Sequence, residues 1–240
     1  VHLSQMSQDR TEALNYARQS IEYSKTNIDL STAWNQVAWC HKNLFQFDSA
    51  LLFAEKALEY ANQTNLPIPV SDVYNTYGSI FNNQSMFDSA VYYHKLALKA
   101  RIESKDQEAQ AVSMNNISIV LQRLAKYEEA AEYIDKSIEI YEALGRERQK
   151  ADAFLNKGNL LSNAGDLDAA YENFQIALKN YEALELSVMT TYALINMGEV
   201  AVGLGNIDRA KENFWRTLRI LNDNGQIANL MAFALNGLGA

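Results

Sequence analysis

The chain has 240 residues and a formal net charge of −8 at pH 7, so a basic face for direct nucleic-acid binding is not expected. Its two prolines and ten glycines are few for this length and favour an all-helical fold, and its one cysteine excludes an internal disulfide. No apolar run reaches the roughly 18 residues that a membrane-spanning helix needs, so no membrane insertion is expected in this segment.

The first part of the chain predicts the end of one helix and then three complete helices. Tyr16 shares one face of the first complete helix with Ala13 and Ala17, which lie at helical spacing. Turns are predicted at residues 9–10 and 27–31. The predicted helices in this part cover residues 1–8, 11–26, 32–44 and 46–64.

Beyond residue 64 the same pair of helices recurs. Pro67 and Pro69 are expected to form a connection over residues 65–69, because prolines this close together end a helix. The helices predicted after it cover residues 72–84, 87–104, 107–124, 127–144, 148–164, 167–183, 187–204 and 207–222. Turn glycines and first-turn acids agree with these bounds; they are Gly145, Gly165 and Gly205, and Asp48, Asp88, Glu128, Asp168 and Asp208.

A fixed period organises the chain. Alanines recur every 40 residues, and a weaker copy of the pattern precedes the first of them; these marker alanines are Ala50, Ala90, Ala130, Ala170 and Ala210. A period of this size indicates stacked helical units that each pack on their neighbours. We therefore predict a single solenoid over residues 1–240, with repeats at roughly 1–30, 31–70, 71–106, 107–146, 147–186 and 187–226 and a partial repeat at 227–240.

The side chains around each marker alanine indicate how the two helices of a unit meet. A small residue stands twelve positions before each alanine, namely Ala38, Gly78, Ser118, Gly158 and Gly198, and a bulky residue usually stands nine before it. This pattern resembles the tetratricopeptide repeat. In such a repeat the small residues lie where the two helices cross most closely. The resemblance implies a right-handed superhelical solenoid of antiparallel helix pairs with about six repeats.

The repeat is longer than the usual one. Tetratricopeptide repeats commonly have about 34 residues, whereas this chain repeats every 40. The longer form is similar to repeats of bacterial regulatory proteins and of kinesin light chains. In bacteria such arrays often precede a sensor-kinase or transcription-factor module, which is what the resemblance implies for this chain.

The resemblance also implies that the first helix of each pair lines a concave groove. Amides are abundant at the groove positions, and a column of amides can pair with the backbone of an extended peptide because each amide both donates and accepts. The alternative left open is that these amides cap helices, bridge them or face water. Lys42 and Arg123 are the basic groove residues and lie two units apart, so a clamp for a terminal carboxylate is not expected. The candidate peptide-binding residues are Asn35, Trp39, Asn75, Ser79, Asn82, Asn115, Asn116, Gln122, Arg123, Asn156, Asn159 and Asn196.

No catalytic constellation, cofactor site or metal site is expected. His41 and His94 stand where the repeat places bulky packing residues, so both are predicted to be core histidines with satisfied ring nitrogens. Cys40 is predicted to be a buried structural thiol. Trp39 is at an offset that points to the groove, whereas Trp215 is predicted to pack between helices.

Two functions agree with these features. The leading hypothesis is a non-enzymatic scaffold that binds a protein or peptide partner in the groove. The alternative is a sensory or regulatory segment of a larger bacterial signalling protein, such as a sensor kinase or a transcriptional regulator. Both ends are expected to be cut within a repeat, and association through the terminal repeats would give a homo-oligomer. A cytoplasmic location is favoured, and a periplasmic one stays open if a targeting segment has been removed.

Overall fold

The computed structural model describes residues 2–223 of the chain, with side chains over residues 11–222. Within that range the chain forms α-helices and no strand, so the prediction of an all-α fold is confirmed. None of the helices described is both long enough and apolar enough to cross a membrane. The partial repeat predicted at 227–240 lies outside the described residues. The helices are α1 His2–Tyr23, α2 Asn27–Asn43, α3 Phe47–Gln63, α4 Pro67–Asn83, α5 Phe87–Glu103, α6 Gln107–Arg123, α7 Tyr127–Ala143, α8 Glu147–Ala164, α9 Leu167–Ala183, α10 Ser187–Gly203 and α11 Ile207–Asp223.

Helix spacing is regular from α2 onward, where each helix begins 20 residues after the one before it. Each connection after α2 contains a residue with positive φ two positions before the next helix, and such a residue ends one helix and turns the chain back. Within each of the two compact units described below, helices that follow one another therefore form antiparallel pairs. The left-handed residues are Phe45, Asn65, Ser85, Lys105, Ala125, Gly145, Gly165, Glu185 and Gly205.

Three predicted boundaries are wrong. Residues 9–10 lie inside α1, and residues 27–31 belong to the start of α2. Thr26 caps α2 because its hydroxyl accepts a hydrogen bond from the backbone N–H of Asp29, whose carboxylate accepts one from the Thr26 N–H. Pro67 begins α4 instead of ending a helix, since a residue in the first turn has no intrahelical N–H bond to lose.

The helices belong to two compact units, which cover residues 1–124 and 125–240. In the N-terminal unit α2 packs on α1, α3 and α4, and alanines of α3 share a core with Val73 of α4. In the C-terminal unit α8 packs on α7, α9 and α10, and Phe174 and Phe214 lie in the core. The first helices of successive pairs are therefore in contact within each unit. The continuity of one array over both units stays a prediction.

Close crossings join the two helices of a pair. All five marker alanines are buried. A Cβ atom on Gly158 would lie 2.5 Å from the Phe174 ring, and one on Gly78 would lie 2.6 Å from the His94 ring. Only a residue without a Cβ fits under these rings, so the predicted steric role is confirmed for these glycines.

The predicted first-turn acids are confirmed as well. They occupy the second residue of α3, α5, α7, α9 and α11, respectively Asp48, Asp88, Glu128, Asp168 and Asp208. The N-cap residues of α3, α5 and α7 make no side-chain capping bond. The carboxylates lie near the positive end of the helix dipole, where a negative charge stabilises the start of a helix.

Candidate binding pocket

A pocket of about 620 Å³ lies between α1, α2 and α4 in the N-terminal unit. Helix α1 contributes small residues and a tyrosine, and α2 and α4 contribute amides, hydroxyls, a tryptophan and a carboxylate. The lining residues are Ala13, Tyr16, Ala17, Thr32, Asn35, Gln36, Trp39, Cys40, Asp72, Asn75 and Thr76. Three of the predicted groove residues, Asn35, Trp39 and Asn75, are thus brought together at one site.

Aromatic side chains form two walls of the pocket. Trp39 of α2 is 41% exposed and Tyr16 of α1 is 70% exposed. The Nζ atom of Lys42 lies 3.2 Å from the centroid of the Trp39 ring. Lys42 is buried, and this burial lowers its pKa to about 8. The indole therefore makes a cation–π contact with the chain's own ammonium group while part of its surface stays exposed.

Asp72 supplies the carboxylate of the pocket, and a buried arginine holds it. Arg101, in the last turn of α5, donates from Nη2 to Asp72 Oδ1 at 3.2 Å and from Nη1 to Ser113 Oγ at 2.7 Å. Its Nη1 also donates to the Ala109 carbonyl at 3.0 Å. The guanidinium thereby joins α4, α5 and α6. The Asp72 side chain keeps 52% of its surface exposed, so the bond to Arg101 positions the carboxylate without closing it off.

The amides of the pocket differ in their hydrogen bonds. Asn75 Oδ1 accepts from Asn116 Nδ2 at 2.9 Å, which bridges α4 and α6. Asn35 Oδ1 is buried and has no donor among the residues that the structure describes. An unpaired buried carbonyl costs about 1–3 kcal/mol. The Asn35 amide therefore breaks no bond at that oxygen when it rotates to meet a donor in the pocket.

A cleft of about 510 Å³ between α1 and α2 adjoins the pocket and shares Thr32 and Gln36 with it. Its lining is Ser20, Tyr23, Ser24, Asp29, Thr32, Ala33 and Gln36. Hydrogen bonds from the Thr26 side chain, and then from the backbone of Thr26 and Lys25, hold the pKa of Asp29 below its usual range. The Asp29 carboxylate is therefore ionised at neutral pH. The pocket and the cleft together are called the N-terminal groove below.

The other predicted residues of this unit lie outside the N-terminal groove. Ser79 and Asn82 are half-buried on α4, and Gln122 and Arg123 lie in the last turn of α6. Asn115 is half-buried on α6 and has an interaction partner of its own. None of the five lines the pocket or the cleft.

Amide pairs bridge successive first helices in both units. In the C-terminal unit Asn196 Nδ2 donates to Asn159 Oδ1 at 3.1 Å, which links α10 to α8 as Asn116 and Asn75 link α6 to α4. Asn156 also has an interaction partner. For these two pairs the structure shows helix bridging, which was the open alternative to peptide binding. A role of the same amides in binding a ligand stays a prediction.

Two family models, both described as tetratricopeptide repeat, match residues 31–64 and 70–143. The matched segments contain most of α2 and α4 and all of α3, α5, α6 and α7. These two segments of the chain are tetratricopeptide repeats. The N-terminal groove is thus formed by the first helices of two successive repeats together with α1. A comparison with curated protein sequences found no match.

Several solved structures have the same fold. BtubC (BKLC) from P. vanneervenii is 21% identical, with a TM-score of 0.77 over 95% of this chain and 94% of its own. A STAND protein with a tetratricopeptide repeat sensor from Pyrococcus horikoshii is 13% identical, with a TM-score of 0.79 over 95% of this chain and 35% of its own. YrrB, described as having an unusual peptide-binding site, is 20% identical, with a TM-score of 0.55 over 93% of this chain and 98% of its own.

The histidines of the repeats are buried, but the prediction that both are satisfied is wrong. His41 Nδ1 lies 2.6 Å from Gln46 Oε1, whereas His41 Nε2 and His94 Nδ1 have no partner within residues 11–222. No group of three or more His, Cys, Asp or Glu side chains in the described part of the chain is arranged to hold a metal ion.

Residues of α1 were not among the predicted groove residues. The buried stripe of this helix contains Leu14, with Ala17, rather than Tyr16, so Tyr16 turns toward the pocket. The spacing of Leu14 and Ala17 was visible in the sequence as an alternative stripe.

Cys40 is half-buried at the pocket instead of buried in the core, and its burial raises the pKa of the thiol. Trp215 is 60% exposed rather than packed between helices.

Proposed function

We propose that this tetratricopeptide-repeat chain is a non-catalytic scaffold that binds an extended segment of a peptide or partner protein in the N-terminal groove. The observation that supports this is the lining of the pocket, in which exposed aromatic surface lies beside amides and one carboxylate. Such a set can recognise a ligand by shape and hydrogen bonds. It offers no nucleophile with an adjacent base, which covalent catalysis would need.

The amides and aromatic residues suit an extended peptide for different reasons. The Asn35 amide can donate a hydrogen bond to a backbone carbonyl of the peptide or accept one from a backbone N–H. It can do so whatever side chain the peptide carries at that position. Tyr16 and Trp39 offer large, rigid apolar surfaces with a polar edge, and these typically contribute much of the binding free energy at an interface. YrrB, a tetratricopeptide-repeat neighbour, is described as having a peptide-binding site, which supports the same class of ligand here.

Cys40 provides a direct test, because it is the single cysteine of the chain and lines the pocket. Peptides are selected from a displayed random library on the native chain, and the reaction of Cys40 with a thiol reagent is followed with and without each peptide. We expect bound peptide to slow this reaction. The Trp39→Ala variant should lose most of the affinity, by about tenfold or more as for a central aromatic residue of an interface.

The matched control is Trp215→Ala, which removes the same side chain from an exposed position on α11. Both variants should keep the helical circular dichroism of the native chain. Peptides that bind the Trp39→Ala variant as well as the native chain, and leave the reactivity of Cys40 unchanged, would show that the N-terminal groove is not the binding site.

A second candidate function is a sensory or regulatory segment of a larger signalling protein. It is favoured by the match to the STAND protein, in which the tetratricopeptide repeats are described as a sensor and of which this chain covers 35%. The discriminating observation is the full-length gene. An adjoining kinase, ATPase or DNA-binding module would support this function, and a scaffold with no such module would contradict it. Peptide binding in the groove is compatible with both.

A further inference from the structure

The charges that line the N-terminal groove are all negative. Asp29 lies in the cleft and Asp72 in the pocket, and the lining of these two sites includes no lysine, arginine or histidine. The Asp72 side chain is 52% exposed, and Asp29 belongs to the exposed residues at the start of α2. A groove whose charges share one sign attracts ligand groups of the opposite sign and repels those of the same sign.

Two basic side chains contact groove residues but do not line the groove. Arg101 is 5% exposed and is held by Ser113, so it neutralises part of the Asp72 charge from behind. Lys42 is 7% exposed and lies against the Trp39 ring. Both basic side chains are therefore almost fully covered, and little of either is open to an arriving acidic group. An arriving basic group would find the exposed part of each carboxylate.

The aromatic walls suit the same kind of ligand group. Tyr16, Tyr23 and Trp39 line the groove and are 70%, 80% and 41% exposed. Aromatic faces attract ammonium and guanidinium groups, and the aliphatic stem of lysine or arginine packs on them. The contact between Lys42 and Trp39 shows that a cation already occupies part of this surface. The oxygen of Asn35 is buried and unpaired, and once its amide rotates into the pocket it would accept one of the five N–H donors of a guanidinium.

We propose that the segment bound in the N-terminal groove is basic, with lysine or arginine side chains that pair with Asp72 and Asp29 and pack on Tyr16 and Trp39. This inference rests on the proposed function and specifies the chemistry of the partner. An acidic segment would place its carboxylates against those of the groove. A purely apolar segment would cover part of both aspartates and desolvate them without a partner, which is unfavourable.

The test uses peptides selected from the random library on the native chain and two matched synthetic probes, in which serine alternates either with lysine or with glutamate. Binding is measured by fluorescence anisotropy for the native chain and for Asp72→Asn and Asp29→Asn. Asp29→Asn is included because it removes an exposed carboxylate, whereas Asp72→Asn takes the carboxylate partner away from the buried Arg101 and is expected to lower stability. The control is Asp48→Asn, an exposed first-turn acid of α3 outside the groove.

We expect the selected peptides to be enriched in lysine and arginine and the lysine probe to bind in preference to the glutamate probe. Each groove variant should weaken binding by roughly twofold to fivefold, as the loss of one partly exposed ion pair does, and Asp48→Asn should not. Neutral or acidic peptides whose binding depends on Trp39 would overturn the charge inference and leave the proposed function intact. If no selected peptide depends on Trp39, both proposals are wrong.

Discussion

His94 is a buried imidazole at a position where two of the other repeats have phenylalanine. It is 2% exposed, and it covers Gly78 as Phe174 covers Gly158 and Phe214 covers Gly198. Burial, with a smaller contribution from the charge of Arg101, lowers the pKa of His94 to about 4. Its Nδ1 atom has no partner in the described residues. The folded chain therefore holds this imidazole in its neutral form.

This burial predicts a loss of stability in acid. The ordinary pKa of 6.5 applies to the unfolded chain and about 4 to the folded one, so between these values the unfolded state binds the additional proton. The free energy of unfolding should fall as the pH drops from about 6.5 to about 4 and then level off, with a contribution on the order of 3 kcal/mol. Urea unfolding of the native chain and of His94→Phe at both ends of this range would measure it. An equal loss in the two proteins would show that His94 is not the cause.

Left-handed residues show how far a residue-level prediction extends. Gly145, Gly165 and Gly205 were predicted to end helices, and each has positive φ. Phe45 and Glu185 have the same conformation, although neither residue type favours it. The side chain at these two positions therefore gave no signal. These turns could be located only by extending the regular spacing of the turn glycines to the other connections of the repeat.

At the scale of the helix, size complementarity determines how the two members of a pair cross. Where the second helix carries a ring, as at Phe174, the first carries glycine at 158; where it carries Ala54, the first carries Ala38. The combined volume of the two facing side chains is limited because the helix axes are close. This rule could be read from the sequence, since both positions recur with the period of the repeat.

Gly158→Ala tests the crossing. The new Cβ would lie 2.5 Å from the Phe174 ring, and overpacking of this kind destabilises a protein by about 1–3 kcal/mol. The higher helix propensity of alanine stabilises the variant by about 1 kcal/mol. We expect a net destabilisation of roughly 1 kcal/mol in urea unfolding, relieved by adding Phe174→Leu. The control is Gly203→Ala, whose Cβ would meet only the flexible end of Leu167. Stabilisation by Gly158→Ala would contradict the close crossing.

Helix starts were predicted less well than helix crossings, for an identifiable reason. A proline indicates a break when it is considered alone, but Pro67 lies in the first turn of α4, where proline is favoured. Thr26 with Asp29 is a capping pair that places the start of α2 at Asn27, and the sequence contains both residues. Boundaries predicted from apolar periodicity do not use these capping signals, and periodicity locates helix faces better than helix ends.

For the molecule as a whole, the repeat predicts which helices supply a groove but not which side chains meet there. Trp39 and Asn75 were predicted from their offsets within one repeat, and both line the pocket. The bond between Asn75 and Asn116 joins two repeats, and its geometry depends on the rotation between successive helix pairs, which a one-dimensional period does not specify. Tyr16 was not among the predicted groove residues because the first copy of the pattern is weak. The packed face of α1 was therefore predicted one residue away from its actual position.

The net charge of −8 predicts how a basic partner approaches the chain. A lysine-rich peptide is attracted by the summed charge of the molecule as well as by Asp72, and salt screens the long-range part over about 8–10 Å at physiological ionic strength. Rising salt should therefore lower the association rate constant of the lysine probe, whereas Asp72→Asn at fixed salt should act mainly on its dissociation rate constant. Stopped-flow fluorescence at several salt concentrations separates the two, with a serine-only peptide as the uncharged control. An association rate that does not change with salt would mean that the charge of the whole molecule does not guide the encounter, and any preference for lysine would then come from contacts in the groove.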